Sequence, residues 1–129
     1  MRILLDTHAL LWALAEPARL SSRAADVIRD SRNTILVSAA SAWEIATKHR
    51  LGKLAGAEPI ISAYVAHLQT LRAEQLPITT EHALKAGGLE VEHRDPFDRM
   101  LAAQSLLEGV PLVTDDRSFQ LFGDLETIW

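Results

Sequence analysis

The chain opens with the stretch Met1-Arg2-Ile3-Leu4-Leu5-Asp6-Thr7-His8, which predicts the fold class. Its apolar residues Ile3 to Leu5 follow one another without a polar residue between them. Such a run is typical of a strand covered on both faces, as in the middle of a parallel sheet. The run stops at Asp6, which is therefore placed at the carboxyl end of the strand. Ligands of open α/β sheets bind at that edge.

The composition indicates a single domain over residues 1–129. Of the 129 residues, 48% are apolar, enough for a hydrophobic core and too many for a disordered chain. There is no cysteine, which excludes disulfides, thiolate metal sites and a cysteine nucleophile. The longest apolar run, residues 9–15, is far shorter than the roughly 20 residues that span a bilayer, and no signal-peptide layout is present. We therefore expect a cytoplasmic protein without a membrane segment.

Strand and helix signals alternate along the chain. After the first strand, strands are predicted at residues 34–38, 76–78, 111–114 and 126–129, and helices at 7–15, 22–32, 39–51, 59–73, 80–88 and 96–107. Such alternation forms a parallel sheet with right-handed crossovers. Pro77 cannot donate to a strand ladder, so the third strand is expected at an edge. We predict an α/β fold: a three-layer sandwich with a mainly parallel sheet of about five strands in the order 3-2-1-4-5. Its ligand crevice would open between strands 1 and 4.

Four acidic side chains are predicted to reach this crevice from four different elements. Asp6 ends strand 1 and Asp116 follows strand 4. Glu44 and Asp98 lie in the first two turns of helices whose ends approach the same edge. Carboxylates brought together in a crevice repel one another, so they either bind protons or hold a cation.

Each of these acids also has a purely structural interpretation. Asp6 could cap the helix after it, and Glu44 could form a surface ion pair with Lys48 four residues later. Asp98 could reach back to its helix cap in a capping box. Asp115 and Asp116 could close an Asx-turn. Any one of these motifs alone is weak.

Taken together, the four acids favour a metal site. An all-oxygen ligand set without cysteine suits a hard ion, Mg²⁺ or Mn²⁺. Such an ion keeps bound water, lowers the pKa of that water and neutralises charge on a substrate phosphate. The chemistry predicted is hydrolysis of a phosphodiester bond by metal-activated water.

Segments spread over nearly the whole chain resemble those of one family. They are LLDTHALLW (4–12), VSAASAWEI (37–45), RDPFDRMLAAQ (94–104) and LVTDDRSF (112–119), in family order. The chain resembles the PIN-domain ribonucleases, and more closely the VapC-type toxins of bacterial type II toxin–antitoxin pairs. The resemblance implies a ribonuclease, a hydrolase that uses Mg²⁺ or Mn²⁺ and cleaves structured RNA.

The resemblance also implies roles for individual residues. The core metal-binding acids would be Asp6, Glu44 and Asp98. Asp116 matches a fourth, more variable acid and is preferred to Asp115 as the one that faces the metal. Small hydroxyl residues match positions beside the site: Thr7, Ser38 and Thr114. Asp95 matches a helix-capping acid and is assigned a structural role.

Further implications of the resemblance concern partners. A homodimer is expected, with its interface on the helix at 59–73 or on the first helix. A cognate VapB antitoxin is expected to fill the active-site groove. Operator DNA would be bound only through that antitoxin.

Basic residues flank two of the acids and suggest where RNA would bind. The net charge is −4, so contact with nucleic acid must rely on a local basic patch. Such residues follow Glu44 and surround Asp98: Lys48, His49, Arg50 and Lys53, then His93, Arg94 and Arg99. Alternatively, the first group only complements the dipole at a helix end. His8, next to Asp6, is the histidine expected near the site.

Two other classes of function are considered. The first is a non-catalytic PIN-fold interaction module, against which the complete acid set argues. The second is a phospho-acceptor receiver-like domain, which would need an aspartate after strand 3, where Thr79 and Thr80 stand instead. A nucleotide-binding enzyme is disfavoured because no glycine-rich loop follows strand 1. A metal-dependent phosphatase is left open, although no nucleophilic aspartate pair marks it.

Overall fold

The first strand, β1 (Arg2–Leu5), lies in the middle of a five-stranded sheet in the computed structural model, which describes residues 1–129. The other strands are β2 (Thr34–Ser38), β3 (Ala73–Leu76), β4 (Leu112–Val113) and β5 (Thr127–Ile128). The order is β3-β2-β1-β4-β5, and every neighbouring pair is parallel. The predicted strand order is confirmed, and the sheet is parallel throughout. β4 and β5 are each one residue shorter at both ends than predicted.

Helices connect the strands and cover both faces of the sheet. They are α1 (Thr7–Ala15), α2 (Ser22–Arg29), α3 (Ala39–Arg50), α4 (Glu58–Ser62), α5 (Tyr64–Thr70), α6 (Thr80–Gly88) and α7 (Pro96–Glu108). Short 3₁₀ turns cover Pro17–Arg19 and Arg117–Phe122. α7 begins as predicted, with Asp95 as N-cap, and ends at Gly109, whose positive φ of 64° suits glycine. None of the helices combines the length and the apolar character needed to cross a membrane.

Alternate residues of β1 enter two separate cores. Ile3 and Leu5 pack with residues of α1, α2, α3 and α5 on one face of the sheet. Leu4 packs on the other face with Leu101 of α7 and with Phe119. Side chains of a strand point alternately to the two faces, so a strand buried on both faces needs an uninterrupted apolar run. Burial on both faces explains why β1 was recognisable from its sequence.

The position of the third strand was predicted wrongly. We expected residues 76–78, but β3 covers Ala73–Leu76 and Pro77 follows it. Glu74 and Gln75 within β3 are exposed, so no apolar run marks this strand. Its edge position is confirmed, although Pro77 lies outside the strand and is not the cause.

The single helix predicted over residues 59–73 was also wrong. Ala63 separates α4 from α5 and is not helical, with φ −129° and ψ 36°. α5 ends at Thr70, and Arg72 then takes a positive φ of 57° before the chain enters β3. The turn at Arg72 ends the helical segment, so Ala73 belongs to the sheet and not to a helix.

Candidate active site

A small polar cavity lies at the carboxyl ends of β1 and β4. Its volume is about 130 Å³, and no hydrophobic residue lines it. The lining residues come from four segments of the chain: Asp6, Thr7, His8, Glu44, Lys48, Asp95, Asp98 and Asp116. The structure therefore brings all four predicted carboxylates to one cavity. Asp115 is exposed and is not among the lining residues.

Asp6 is buried between the ends of the two central strands. Its Oδ1 accepts a hydrogen bond of 2.7 Å from the backbone N–H of Ala9, which caps α1. The Thr114 hydroxyl, at the end of β4, donates to Oδ2 at 2.5 Å. Burial raises the pKa of Asp6 from 3.8 to about 6, although both hydrogen bonds oppose this change. The site thus holds a carboxylate that is costly to ionise without a nearby cation.

Glu44 lies one turn into α3 with only 3% of its surface exposed. Thr7 donates to its Oε1 at 2.5 Å, and the Thr7 hydroxyl also lies 3.1 Å from that of Ser41. Lys48 forms a short ion pair with Oε2. The pair expected from the i, i+4 spacing therefore exists, but Glu44 is buried and the pair lies in the cavity rather than on the surface. Lys48 supplies the one ammonium group among the lining residues.

Asp98 occupies the first turn of α7, opposite Glu44. The N-cap is provided by Asp95, which accepts from the N–H groups of Phe97 and Asp98. The Asp98 carboxylate does not reach back to the cap and instead bonds through Oδ2 to His93 Nε2 at 2.9 Å. Burial raises the pKa of Asp98 to about 6, opposed by the His93 hydrogen bond and reinforced by the nearby carboxylates of Asp95 and Glu44.

Asp116 follows β4 and combines a local role with a place in the cavity. Its Oδ1 accepts from the N–H of Ser118 at 2.9 Å, which is the turn contact considered from the sequence. Its own N–H donates to the Thr114 hydroxyl at 3.0 Å. Thr114 therefore links Asp6 to Asp116 across the two central strands.

The chemistry of these donors suits a hard divalent cation. All four acids offer oxygen, and Asp98 Oδ1 and Asp116 Oδ2 accept no hydrogen bond from the protein. As they stand, however, no three acidic or histidine side chains are arranged to hold an ion. Lys48 pairs with Glu44, and His93 binds one oxygen of Asp98.

The predicted RNA-binding residues differ in exposure and in the contacts that they make. Arg50, Lys53 and Arg94 are exposed and form no ion pair, whereas Lys48 points into the cavity. Arg99 has a different role. Its guanidinium donates to the backbone carbonyls of residues 86, 89, 91 and 93, at 2.6 to 3.1 Å. These bonds occupy the guanidinium of Arg99 within the protein, so it is not available to contact RNA.

Two of the three predicted supporting hydroxyl groups contact the acids of the cavity, and the third caps a helix. Thr7 and Thr114 contact Glu44 and Asp6 directly, whereas Ser38 caps α3 by accepting from the N–H of Ala40 at 3.0 Å. Sequence reasoning missed the contacts of Ser41 with Thr7 and of His93 with Asp98. Ser41 lies one helical turn before Glu44, a spacing that could have identified it. No spacing rule covers His93, because it lies in a loop.

Comparison with known proteins identifies the family of the chain. The model of the PIN domain family matches residues 3–125. Ribonuclease VapC22 of Mycobacterium tuberculosis is 31% identical over 118 residues, which cover 89% of this chain and 87% of that protein. Ribonuclease VapC16 of the same organism is 46% identical over 57 residues, which cover 44% of this chain and 39% of that protein.

Solved structures show the same fold. VapBC2 from Rickettsia felis, bound to a DNA fragment from its promoter, aligns with a TM-score of 0.72 at 19% identity, over 99% of this chain and 98% of that one. VapBC-1 from nontypeable Haemophilus influenzae aligns with a TM-score of 0.64, also at 19% identity, over 99% and 97% of the two chains. The family match, the VapC22 relative and the shared fold agree with the motifs in the sequence: the chain belongs to the PIN-domain family and is a relative of the VapC ribonucleases.

Proposed function

We propose that the chain is a metal-dependent endoribonuclease and acts as the toxin of a VapBC toxin–antitoxin pair. The observation that carries this proposal is the convergence of four acids from four elements on one cavity that has no apolar lining. Burial makes two of these acids costly to ionise, and a divalent cation would offset that cost. Ribonuclease is also the activity named for the relatives VapC22 and VapC16.

In this proposal Asp6, Glu44, Asp98 and Asp116 hold Mg²⁺ or Mn²⁺. When bound, the ion would lower the pKa of a water molecule and neutralise charge on the scissile phosphate. The protein's own groups orient the acids for this task. Ala9 and Thr114 fix both oxygens of Asp6, and Thr7 fixes one oxygen of Glu44.

Lys48 would balance the charge of the cavity before an ion enters. Its ammonium group pairs with Glu44 and lies close enough to Asp95 and Asp98 to interact with their charges. A cation held by Glu44 would take over the charge balance, and the ammonium group of Lys48 would then be available to a substrate phosphate. Arg50, Lys53 and Arg94 would contact the RNA backbone outside the cavity, because they are exposed and unpaired.

The proposed biological setting follows from the relatives. Neighbouring structures are complexes of the VapBC type, and the one from Rickettsia felis holds promoter DNA. We infer a cytoplasmic protein with a VapB-type antitoxin, which covers the acidic cavity and makes the contacts with operator DNA. We also infer a homodimer, with α1 or the α4–α5 segment as its interface.

The test is RNA cleavage by the purified chain with Mg²⁺, with Mn²⁺ and with EDTA. Asp6→Asn should abolish cleavage, because it removes a charged ligand while keeping an oxygen to cap α1. Asp115→Asn is the matched control, since this exposed acid does not line the cavity. The proposal fails if cleavage persists in EDTA, or if both variants lose activity equally.

A non-catalytic interaction module is the second candidate. It is favoured by one observation, that no three acidic or histidine side chains are arranged to hold an ion. Calorimetric titration with Mn²⁺ separates the two candidates. Absence of binding together with absence of cleavage would favour the interaction module. A receiver-like domain is not proposed, because β3 is followed by Pro77, Ile78 and Thr79 without an aspartate.

A further inference from the structure

The loop between α6 and α7 brings a histidine to one of the cavity acids. His93 Nε2 and Asp98 Oδ2 are 2.9 Å apart, and the two side chains are only 13% and 19% exposed. An ionised carboxylate can only accept hydrogen bonds, so the proton of this bond belongs to His93 Nε2. The bond engages one oxygen of Asp98 and leaves Oδ1 without a partner in the protein.

The ring of His93 is held in place by two buried phenylalanines. It stacks on Phe119 with ring centres 6.4 Å apart and planes inclined by 26°, and it meets Phe122 at 5.3 Å. Both phenylalanines belong to the core on this face of the sheet. Aromatic contacts of this kind fix the plane of the imidazole and therefore the direction in which Nε2 points.

The backbone of the loop is fixed by the residue that follows Asp98. Arg99 donates to the carbonyl of His93 at 3.1 Å and to that of Val91 at 3.0 Å. It also donates to Ala86, at the end of α6, and to Leu89. A planar guanidinium with five donors can serve several carbonyls at once, which an ammonium group cannot do with the same geometry. Arg99 thus ties the His93 loop to the helix that carries Asp98.

We propose that His93, held by Arg99 and by the two phenylalanines, is a positioning residue that sets the orientation of the Asp98 carboxylate for metal binding. The inference rests on the proposed function, in which Asp98 is a ligand. Asp98 faces the carboxylates of Asp95 and Glu44 across the cavity, and their repulsion favours a rotation away from the site. The hydrogen bond from His93 opposes that rotation and presents Oδ1 for the ion. Hydrogen bonds that orient metal ligands commonly contribute 10- to 100-fold to metal affinity.

The experiment compares Mn²⁺ binding by calorimetry in EDTA-stripped and dialysed full-length protein. His93→Phe keeps an aromatic ring against Phe119 and Phe122 but has no donor. His93→Gln keeps a donor near the position of Nε2. We expect His93→Phe to weaken Mn²⁺ binding by about 10- to 100-fold, and His93→Gln to remain within a few-fold of the wild type. If His93→Phe does not fold, His93→Leu replaces it as the variant without a donor.

Melting temperatures without metal separate positioning from general stability. If the two variants lose thermal stability alike but only His93→Phe loses Mn²⁺ affinity, the proposal is supported. Equal loss of affinity in both variants, or unchanged affinity in His93→Phe, overturns it. In an Asp98→Asn background, His93→Phe should cause no further loss of Mn²⁺ affinity.

The wild-type titration separates this inference from the function on which it depends. If the wild type binds Mn²⁺ and His93→Phe binds it equally well, only the role of His93 is rejected. If the wild type binds no Mn²⁺, the metal-dependent function is rejected, and the role of His93 is rejected with it.

Discussion

Asp6→Asn removes a carboxylate that the fold holds away from water, and we expect this change to stabilise the metal-free protein at neutral pH. In the folded chain the pKa of Asp6 is about 6, compared with 3.8 for an ordinary aspartate. The folded state therefore binds the proton more tightly than the unfolded state. Protonation of Asp6 therefore stabilises the folded state. This stabilisation is complete below about pH 4 and is lost as the pH rises from 4 to 6.

The magnitude follows from the size of the pKa change. A rise of about two units corresponds to about 3 kcal/mol, at about 1.36 kcal/mol per unit. Asparagine has no charge to bury and keeps an oxygen for the N–H of Ala9, but its contact with Thr114 is weaker than that of a carboxylate. We therefore expect a net gain of about 1–3 kcal/mol at pH 7.5 and little difference at pH 4.

The assay is urea denaturation in EDTA at pH 4, 5, 6 and 7.5, analysed as the free energy of unfolding. Asp115→Asn is the control, because an exposed acid should change stability by less than about 0.5 kcal/mol. Saturating Mn²⁺ should stabilise the wild type by about 2.7 kcal/mol at 100 times the dissociation constant, and Asp6→Asn much less. The reasoning is refuted if Asp6→Asn is less stable than the wild type at pH 7.5 in EDTA, or if the difference between the two does not depend on pH.

Three further predictions concern the neighbours of the acids. Thr114→Val removes the hydroxyl that donates to Asp6 and should lower the free energy of unfolding by about 1–3 kcal/mol, measured by urea denaturation; an unchanged value would contradict this role. Lys48→Met leaves Glu44 without its cation and should lower the melting temperature in EDTA, with a larger recovery on addition of Mn²⁺ than in the wild type. An equal recovery in both proteins would show that Lys48 does not balance the charge of the cavity. Arg94→Gln should reduce the slope of log affinity for single-stranded RNA against log salt by about 0.7, measured by fluorescence anisotropy, whereas an unchanged slope would exclude a phosphate contact.

How well each strand could be predicted depended on its burial. β1 lies between two cores, so Ile3 to Leu5 must all be apolar and the run is visible in the sequence. β3 lies at the edge of the sheet, where Glu74 and Gln75 face solvent and satisfy no hydrophobic pattern. β3 is formed by backbone pairing with β2. Backbone hydrogen bonds require no particular side chains, so this strand could not be identified from its residue types.

The positions of the acids were predictable because strand ends and helix starts meet at one edge. From the sequence, an acid that caps a helix or turn and an acid that lines the cavity were alternative interpretations. Asp6 and Asp116 do both. In each, one oxygen accepts from a nearby backbone N–H, and the side chain still lines the cavity. The i, i+4 pair of Glu44 with Lys48 is likewise both an ion pair and part of the cavity. A carboxylate has two oxygens, so a local contact does not exclude a role in a site.

The role of the α6–α7 loop could not be predicted. Arg94 and Arg99 look equivalent in the sequence, each next to an acid near the start of α7. In the structure Arg94 is exposed, whereas Arg99 donates to five backbone carbonyls. The difference depends on where the loop carbonyls point, and loop geometry is not encoded in any periodic pattern.

The hydrogen bond between Asp6 and Thr114 can form only after both residues have been synthesised. The two residues are 108 positions apart, so the ribosome adds Thr114 long after Asp6. β4 and β5 are synthesised after β1, β2 and β3, so their pairing with the sheet also comes late. A growing chain can form β1, β2 and their helices early, but it lacks the hydroxyl that holds Asp6. If the chain cleaves RNA, this arrangement delays activity until β4 and Thr114 have been synthesised and have paired with β1.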